Sequence, residues 1–527
     1  MSKQKSILLI VILAIAVNFA NIGGLDIYAL DEAKNAEAAR EMFESGNYVV
    51  PYYNYQLRTD KPPLHYYFMS AGYAIFGVNA FGARFFSSIM AVLTILITYL
   101  FASKYFSPKT GLNAALVLLA SLHFAMQFHM SVPDPYLIFF MTWAFYSFYE
   151  AYQSNSKWQL LAFYFAIGCG LLTKGPIALG LTGLTALIFL IVQKDFRLKT
   201  IVRLQPIGGV ILALMVAIPW FYAVHLQTNG VWTEEFFFKH NFSRFSDSME
   251  GHSGSPLLTL AFVFGLGMLA FLPFSLQSLK HVWKNKKEST LIYIGIAAMV
   301  IIVFFAISST KLPNYTVPAY PLLAILIGHY IGQLDEKWFS KLGNRVGLIF
   351  YSVILIAFPF GIYFGLKGDK SLAHLNSLGF YFIPLAGLGV YIILQTIKKK
   401  SIERILWMNI CTWLVTIVLF FHLIFPQVDA ENPVRKTLPM MDTDQTIIAF
   451  KRLNPAFVFA LQREIPMLDD LEEIKISMAA SPSGYIISRT EFQEELATIP
   501  GLVFHAKARD TFENPTTLVL KWGFPQQ

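Results

Sequence analysis

Charged side chains are scarce in this sequence. Asp, Glu, Lys and Arg together make up 14% of the 527 residues, whereas hydrophobic residues make up 55%. The mean hydropathy of +0.51 lies outside the range of soluble globular domains. A composition with so little polar surface excludes an ordinary soluble protein and indicates a protein embedded in a bilayer.

Cysteine is nearly absent too, since Cys169 and Cys411 are the two in the chain. Both fall within predicted membrane helices, where a thiol acts as a small hydrophobic side chain. The sequence also lacks a Walker loop, a glycine-rich nucleotide fingerprint and a closely spaced set of metal ligands. A soluble nucleotide is therefore disfavoured as a substrate and no cofactor is certain, although His240 and His252 leave a divalent metal ion open.

Long apolar runs recur along most of the chain. Each could cross the roughly 30 Å hydrocarbon core of a bilayer as a helix, and we count about thirteen of them. They cover residues 5–23, 81–103, 110–130, 135–153, 157–173, 175–193, 204–225, 257–279, 289–308, 312–333, 346–366, 375–396 and 405–425. The sequence predicts an all-α polytopic membrane bundle whose first run is a retained helix, not a cleaved signal peptide.

Basic residues predict the orientation of this bundle. The net charge is +8, and lysines and arginines cluster in alternate loops, which the positive-inside rule keeps in the cytoplasm. The N-terminus is then cytoplasmic, while the loop of residues 24–80 and the C-terminal tail face the opposite side. Because these charges serve topology, they do not indicate a nucleic-acid partner.

The chain changes in character after Pro426. Strand-like runs (TIIAF, GYIIS and TTLVLKW) alternate with helix-like runs (LDDLEEIKI and TEFQEELATI), a pattern typical of a small α/β domain. We therefore predict a transmembrane domain over residues 1–428 and a soluble extracytoplasmic α/β domain over residues 429–527. This second domain would cover the outer face of the first.

The outer loop of residues 24–80 contains two shorter helical patterns. Residues 31–45 carry alanines at three- and four-residue spacing, with charged residues on the other side and Gly46 as a stop. The second pattern, PLHYYFMSAGYAIFG, is aromatic and too short to span a bilayer comfortably. Both helices are predicted to lie in the membrane interface and to form a platform over the bundle.

An acid pair, Asp31 and Glu32, opens the first of these helices. Asp31 could cap free backbone amides at the positive end of the helix dipole. The functional alternative is a general base that takes a proton from an acceptor hydroxyl at the mouth of a membrane cavity. Glu32 points about 100° away around the helix, so the two acids cannot serve identically.

The segment from Arg58 to Pro63 sets a lysine before two prolines. The prolines hold the backbone extended and fix the point from which the Lys61 ammonium emerges. A fixed cation at the interface suits a phosphate group, and Arg58 is near enough in sequence to reach the same anion. The alternative for Lys61 is a side chain that snorkels to the membrane surface.

Further polar residues stand at the predicted outer ends of membrane helices. Asp134 lies between two prolines at a helix start, where capping competes with a role in a cavity. Lys174, in LLTKGP, falls on the outer side against the charge rule, which suggests anion binding. Candidates in later loops are His240 and Arg244, one helical turn apart, and Lys311 and Tyr315 in KLPNYTVPAYP.

Taken in order, these motifs resemble a known family. LDEAKNAEAAREMFESGNYVVPYYN with DKPPLHYY, then FGVNAFGARFFSSIMAVLT, LLTKGP, FFFKHNFSRF and STKLPNYTVPAYP are similar to motifs of a group of membrane glycosyltransferases. The group includes protein O-mannosyltransferases and the 4-amino-4-deoxy-L-arabinose transferases of lipid A. The resemblance covers nearly the whole membrane part and implies the GT-C fold.

The resemblance also implies residue roles. It makes Asp31 the catalytic base and Lys61 a ligand of the phosphate in a polyprenyl-phosphate sugar. It suggests Arg244 and Tyr315 as phosphate contacts and Asp134 as a second cavity acid.

The chain departs from the family pattern in two places. Lys34 and Asn35 stand where an arginine and an aromatic residue are usual, so a bidentate phosphate contact there becomes a single point charge. Asp60 stands where glutamate is common. Lys34 is kept with Lys174 among the candidate phosphate ligands, and the other candidates around the cavity are Glu32, Asp60, His240 and Lys311.

The resemblance, taken with these residues, implies an inverting glycosyltransferase in the inner membrane of a bacterium. It would move 4-amino-4-deoxy-L-arabinose or a hexose from an undecaprenyl-phosphate donor to a lipid A, glycan or protein acceptor on the periplasmic side. A transporter or flippase of a lipid-linked sugar is the alternative, although transporters more often set their charges at the bilayer midplane. A non-catalytic scaffold would instead tolerate Asp31→Asn.

Overall fold

Helices form most of the structure, a computed structural model that describes residues 3–242, 254–285, 287–399, 401–511 and 515–523. The helices before residue 243 are α1 (Lys3–Asn18), α2 (Leu30–Ser45), α3 (Leu64–Phe76), α4 (Ala80–Tyr105), α5 (Pro108–Leu119), α6 (Leu122–Phe128), α7 (Asp134–Ser154), α8 (Lys157–Lys174), α9 (Ile177–Val192), α10 (Leu198–Leu204), α11 (Pro206–Gln227) and α12 (Val231–Glu234). Those that follow, up to residue 429, are α13 (Pro256–Leu260), α14 (Leu272–Lys284), α15 (Ser289–Ile307), α16 (Tyr320–Gly332), α17 (Leu342–Gly368), α18 (Ile383–Ile397), α19 (Ile402–Leu419) and α20 (Phe425–Asp429).

Tighter and wider helical turns extend or join several of these helices. The π-helical segments are Glu235–Phe242, Ala261–Gly267 and Phe420–Ile424. The 3₁₀ segments of the membrane part are Leu269–Phe271, Pro313–Ala319, Glu336–Ser340 and Ala373–Phe382.

Six helical stretches among the described residues are long and apolar enough to cross a membrane, or up to eight if each of two bent pairs is one span. The six are Ala80–Tyr105, Leu198–Gln227, Ser289–Ile307, Leu342–Gly368, Ala373–Ile397 and Ile402–Asp429. The predicted count of about thirteen is not confirmed. Two predicted runs, 110–130 and 257–279, are broken helices, and the run 312–333 begins as a 3₁₀ segment.

The two broken helices meet at their bends. One pair, Pro108–Leu119 with Leu122–Phe128, turns by 70°, and the other, Pro256–Gly267 with Leu269–Lys284, turns by 80°. At the meeting point the Ser121 hydroxyl donates to the Gly267 carbonyl over 2.6 Å. Backbone groups that lose their helical hydrogen bonds at a bend need other partners inside a membrane protein. Here a side chain at one bend donates to a backbone carbonyl at the other.

Helices α2 and α3 lie where the outer-loop helices are predicted, but α2 does not have a free polar face. Glu37 and Arg40, expected on the solvent side, have no exposed surface. Arg40 Nε lies 2.9 Å from a Glu37 carboxylate oxygen, so these charges are buried as a pair. The opposite side of α2 packs its alanines, including Ala36, against Tyr73 of α3. Helix α2 is therefore enclosed on both sides.

A five-stranded sheet forms the C-terminal domain, which confirms the predicted small domain with a sheet. Its strands, after the short hairpin β1 (Tyr52–Tyr53) and β2 (Gln56–Leu57), are β3 (Thr446–Phe450), β4 (Met467–Leu468), β5 (Gly484–Arg489), β6 (Val503–Arg509) and β7 (Thr516–Trp522), with helices α21 (Pro433–Thr437), α22 (Pro455–Leu461), α23 (Leu471–Ala480) and α24 (Gln493–Leu496) and 3₁₀ segments Leu438–Met440 and Thr490–Phe492. The strand order is β4-β3-β5-β7-β6; β3 pairs in parallel with β4 and β5, and β7 pairs antiparallel with β5 and β6.

The sheet has two apolar faces. Along β3, Ile447 and Ala449 join a core shared with α2 and α3, whereas Ile448 and Phe450 join a separate core on the far side. This follows from the alternation of side chains along a strand. The domain is thus packed directly on the outer-loop helices, while its predicted boundary between residues 428 and 429 stays a prediction.

Candidate active site

A cavity of about 360 Å³ collects many of the predicted site residues. Its lining consists of Asp60, Lys61, Asp134, Leu137, Lys174, Pro176, Ile177, Gly180, His240, Phe304, Phe305, Ser308, Thr310, Tyr315 and Pro318. These come from the β2–α3 loop, the start of α7, the end of α8, the start of α9, the π-helical segment Glu235–Phe242, the end of α15 and the residues that follow it up to Pro318. Charged groups therefore face apolar walls in one hollow, an arrangement that suits an amphiphile.

The β2–α3 loop brings two cations to one carboxylate. Arg58 donates to both oxygens of Asp60, from Nε over 2.6 Å and from Nη2 over 3.2 Å, and Lys61 Nζ lies 3.4 Å from Asp60 Oδ2. Burial alone would raise the pKa of Asp60, but Arg58 and then Lys61 hold that pKa well below its usual range. Arg58 makes the closer contacts with Asp60, and Lys61 interacts with Asp60 more weakly. The Lys61 ammonium, with three N–H donors, can therefore also bind another anion.

A second ion pair lines the same cavity. Lys174 Nζ lies 2.8 Å from Asp134 Oδ1 and 5.1 Å from the centre of the Tyr315 ring. The other oxygen, Asp134 Oδ2, is buried and has no hydrogen-bond partner among the described residues. The side chain of Asp134 is thus bound to Lys174 and not to the amides of its own helix.

Asp31 lies in the first turn of α2, where Asn35 links it to Arg58. Its side chain is exposed, and Oδ1 accepts a hydrogen bond of 3.2 Å from Asn35 Nδ2. The negative charge of Asp31 acts on Arg58 and on Lys174, the cations of the two ion pairs. Asp31 and Lys61 therefore belong to one electrostatic cluster, although Asp31 is not among the residues that line the cavity.

Glu32, a candidate residue of the cavity, is not among the residues that line it. Arg84 binds its carboxylate in a bidentate manner over 2.7 and 2.8 Å, and the Ser131 backbone N–H donates to it over 2.8 Å. Arg84 also donates to backbone carbonyls in the connection between α1 and α2. The different direction of Glu32 around the helix gives it this buried partner.

The remaining candidates have varied positions. Lys34 is exposed on α2, Lys311 is buried and donates to the Ser308 carbonyl, and His240 lies on the cavity wall with Nε2 3.3 Å from the Thr59 hydroxyl. Arg244 and His252 lie outside the described residues.

Comparisons with known proteins support the resemblance seen in the motifs. A family model described as dolichyl-phosphate-mannose-protein mannosyltransferase matches residues 60–222. An undecaprenyl phosphate-alpha-4-amino-4-deoxy-L-arabinose arabinosyl transferase of Pseudomonas fluorescens is 29% identical over 409 residues, which are 76% of this chain and 72% of the relative. The enzyme of that name from Pseudomonas aeruginosa is 30% identical over 333 residues, 60% of this chain and 57% of the relative.

Solved structures share the fold. ArnT from Cupriavidus metallidurans, crystallised with undecaprenyl phosphate, superposes with a TM-score of 0.81 at 21% identity, with all of both chains covered. An oligosaccharyltransferase of Archaeoglobus fulgidus gives a TM-score of 0.52 at 9% identity over 93% of this chain and 70% of that one. The chain has the GT-C fold and is similar to these membrane glycosyltransferases in sequence. The resemblance read from the motifs is confirmed, and the transferase is a multi-pass membrane protein.

Several residues that shape the site of the transferase were not predicted. Trp232 Nε1 donates to the Arg58 carbonyl over 2.8 Å, and the Thr59 hydroxyl donates to Glu235 over 2.6 Å. These contacts fix the loop that carries Lys61. No local pattern could reveal them, because the partners lie more than 170 residues apart, at separations of 174 and 176.

A divalent metal ion finds few ligands in the transferase. Within the described part of the chain, no group of three or more His, Cys, Asp or Glu side chains could hold one. Asp60 and His240 both line the cavity, but the oxygens of Asp60 are occupied by Arg58. The described residues therefore do not fit a metal site, and the steps proposed below use the protein's own side chains.

Proposed function

We propose that the transferase moves a sugar from a polyprenyl-phosphate donor of the undecaprenyl type to an acceptor at the periplasmic face of a bacterial inner membrane. One observation carries this proposal: two lysines, each paired with a carboxylate, line a single cavity together with apolar side chains. A lipid phosphate needs both features at once, since cations bind its head and apolar side chains bind its tail. The Pseudomonas relatives named above are undecaprenyl phosphate-linked arabinosyl transferases by name.

The donor phosphate would be held by cations on two sides. Lys61 and Lys174 line the cavity from the β2–α3 loop and from α8, and Arg58 donates to Asp60, the residue before Lys61. The proposed phosphate ligands are Lys61, Lys174, Arg58 and Tyr315, with Lys34 and Arg244 as further candidates. Positive charge around the leaving phosphate stabilises the electron pair that it takes when the sugar departs.

The sugar would pass to the acceptor in one displacement. The acceptor hydroxyl oxygen attacks the anomeric carbon, the bond from that carbon to the phosphate oxygen breaks, and the hydroxyl proton goes to Asp31. Attack opposite the leaving group inverts the anomeric centre. The phosphate leaves as an anion already bound by cations, so the step needs no separate acid, and Asp134 serves to hold Lys174 in place.

The names of the Pseudomonas relatives support one choice of sugar. We propose 4-amino-4-deoxy-L-arabinose as the sugar and lipid A as the acceptor, with a hexose and a glycan or protein as the alternatives. The acceptor would approach past the C-terminal domain, which packs on α2 beside Asp31. The N-terminus would then be cytoplasmic and the C-terminal domain periplasmic.

A reconstituted assay tests this proposal. Purified protein in liposomes receives undecaprenyl phosphate carrying radiolabelled 4-amino-4-deoxy-L-arabinose, together with lipid A. We expect label on lipid A and release of undecaprenyl phosphate. Movement of the intact labelled donor across the bilayer without cleavage would overturn the proposal in favour of a flippase.

A further inference from the structure

One buried amide joins the two charges on which the proposed chemistry depends. Asn35 lies one helical turn after Asp31 and has no exposed surface. Its Oδ1 is 3.2 Å from Arg58 Nη2, and its Nδ2 is 3.2 Å from Asp31 Oδ1. A guanidinium group only donates hydrogen bonds, so the amide oxygen must face Arg58 and the amide NH₂ must face Asp31.

His65 adds a second donor to the same amide oxygen. His65 Nε2 lies 3.0 Å from Asn35 Oδ1, and because that oxygen accepts, Nε2 carries the ring proton. Burial, followed by the charges of Arg58 and Lys61, lowers the pKa of His65 well below its usual value. The ring is therefore neutral, and it holds the amide in place without adding charge.

We propose that Asn35 is a positioning residue, whose NH₂ group orients the carboxylate of Asp31 while its oxygen holds the guanidinium of Arg58. This inference rests on the proposed function, in which Asp31 is the base and Arg58 belongs to the phosphate site. An amide can bridge an anion and a cation without neutralising either. A direct ion pair between Asp31 and Arg58 would instead lower the basicity of Asp31. Asn35 thus separates the base, Asp31, from the phosphate ligand, Arg58, and fixes their relative positions.

An apolar side chain at position 35 could make neither the contact with Asp31 nor the contact with Arg58. The donor and acceptor ends of the amide are both used, since Nδ2 also donates to the Asp31 carbonyl over 2.7 Å.

Two substitutions separate positioning from packing. Asn35→Asp keeps the shape and can still accept from Arg58 and His65, but it cannot donate to Asp31. We expect kcat to fall about ten- to one-hundredfold, the loss of one hydrogen bond to a charged group, with the donor KM nearly unchanged. Asn35→Leu loses both contacts and should also raise the donor KM, because Arg58 is released.

The pH profile gives a readout that a purely structural role would not move. Two carboxylates side by side repel each other, so the acid limb of kcat/KM in Asn35→Asp should shift to higher pH. Among the described residues, the groups that interact with Asp31 include Asn35, Arg58, Tyr66 and Lys174, and all of these but Asn35 are retained in the variant.

The assay uses the full-length protein in liposomes with undecaprenyl-phosphate-linked 4-amino-4-deoxy-L-arabinose as the probe. Asn113→Leu is the matched control and should leave kcat and KM unchanged. Asn113 donates over 3.2 Å to the Gly328 carbonyl between α5 and α16, away from the cavity.

If the wild type does not consume the donor, the proposed function fails. If the wild type does and Asn35→Asp keeps the wild-type kcat and pH profile, the positioning role is overturned. Should Asn35→Leu fail to fold, the near-isosteric Asn35→Asp decides.

Discussion

Lys61 and Lys174 both line the cavity, but they lie at different distances from their carboxylate partners. Lys174 makes a close pair with Asp134 over 2.8 Å, whereas Lys61 lies 3.4 Å from an Asp60 that Arg58 already binds twice. An ammonium whose carboxylate partner is also bound by an arginine is less fully neutralised, so its positive charge attracts a ligand more strongly. Lys61 is therefore the residue whose charge should matter most for donor binding.

Replacing Lys61 should weaken donor binding more than it slows the chemical step. For Lys61→Gln we expect the donor KM to rise about ten- to one-hundredfold, the loss of one charge-assisted hydrogen bond, and kcat to fall less. Steady-state kinetics with varied donor measures both. Lys199→Gln, at an exposed site on α10, is the control, and equal effects of the two substitutions would contradict a phosphate-binding role.

Glu32 should be needed for folding and not for chemistry. Glu32 and Arg84 are both buried and bound to each other, so Glu32→Gln leaves a buried guanidinium without its counter-charge. Breaking a buried pair costs about 3–5 kcal/mol, and the free energy of unfolding in detergent should fall by that order. Lys475→Met, which removes an exposed pair with Glu472, should cost about 1 kcal/mol or less. A fully stable Glu32→Gln that lacks activity would contradict this assignment.

At the scale of single elements, helix α2 joins the membrane part to the C-terminal domain. Its first turn carries Asp31, and its middle buries Glu37, Arg40 and Glu41 under that domain and the β1–β2 hairpin. The sequence predicted the helix because spacing and a stop glycine are local signals. It could not predict the cover, because the domain that supplies it comes some 400 residues later, as in the pairing of Asn54 with Ile465, 411 residues apart.

Burial of acids in α2 makes stability depend on pH. Burial, followed by the charge of Glu37, raises the pKa of Glu41 from 4.5 to about 7. The folded state then holds this proton more tightly than the unfolded state, so stability falls as the pH rises from about 4.5 to about 7 and is flat above.

Glu41→Gln removes this cost while its side-chain oxygen can still accept from the Tyr55 backbone N–H. The variant should be more stable than the wild type by about 1–3 kcal/mol at pH 8 and nearly equal to it near pH 5. Thermal unfolding at both values measures this, with Glu491→Gln at an exposed position as the control. A gain that is the same at both pH values would contradict the account.

At the scale of the whole molecule, the sequence motifs were more informative than the number of apolar runs. Asp60, Lys61, Asp134, Lys174 and Tyr315 are scattered over the chain, yet they line one cavity, because each stands at the end of a helix or in a proline-fixed loop. The number of spans was harder to predict. A hydropathy window cannot see a bend of 70° or 80°, since bends depend on contacts such as that between Ser121 and Gly267.

Orientation in the membrane is the prediction that belongs to this scale. A cysteine placed at Glu494, exposed in the C-terminal domain, should react with a membrane-impermeant maleimide in spheroplasts. A cysteine at Lys199 should react only after the membrane is permeabilised. Cys169 is buried and Cys411 lies within the span Ile402–Asp429, so the background should be low. Labelling of Lys199→Cys in intact spheroplasts would reverse the proposed topology.

The rate of sugar transfer by Asp31→Asn, measured in a single turnover beside donor binding in the same preparation, tests the central claim most directly. The account predicts that the variant binds undecaprenyl-phosphate-linked sugar like the wild type, because the cations are untouched. It predicts that transfer falls about 10²- to 10⁴-fold, the usual contribution of a general base. Transfer at the wild-type rate by a variant that binds the donor normally would contradict it.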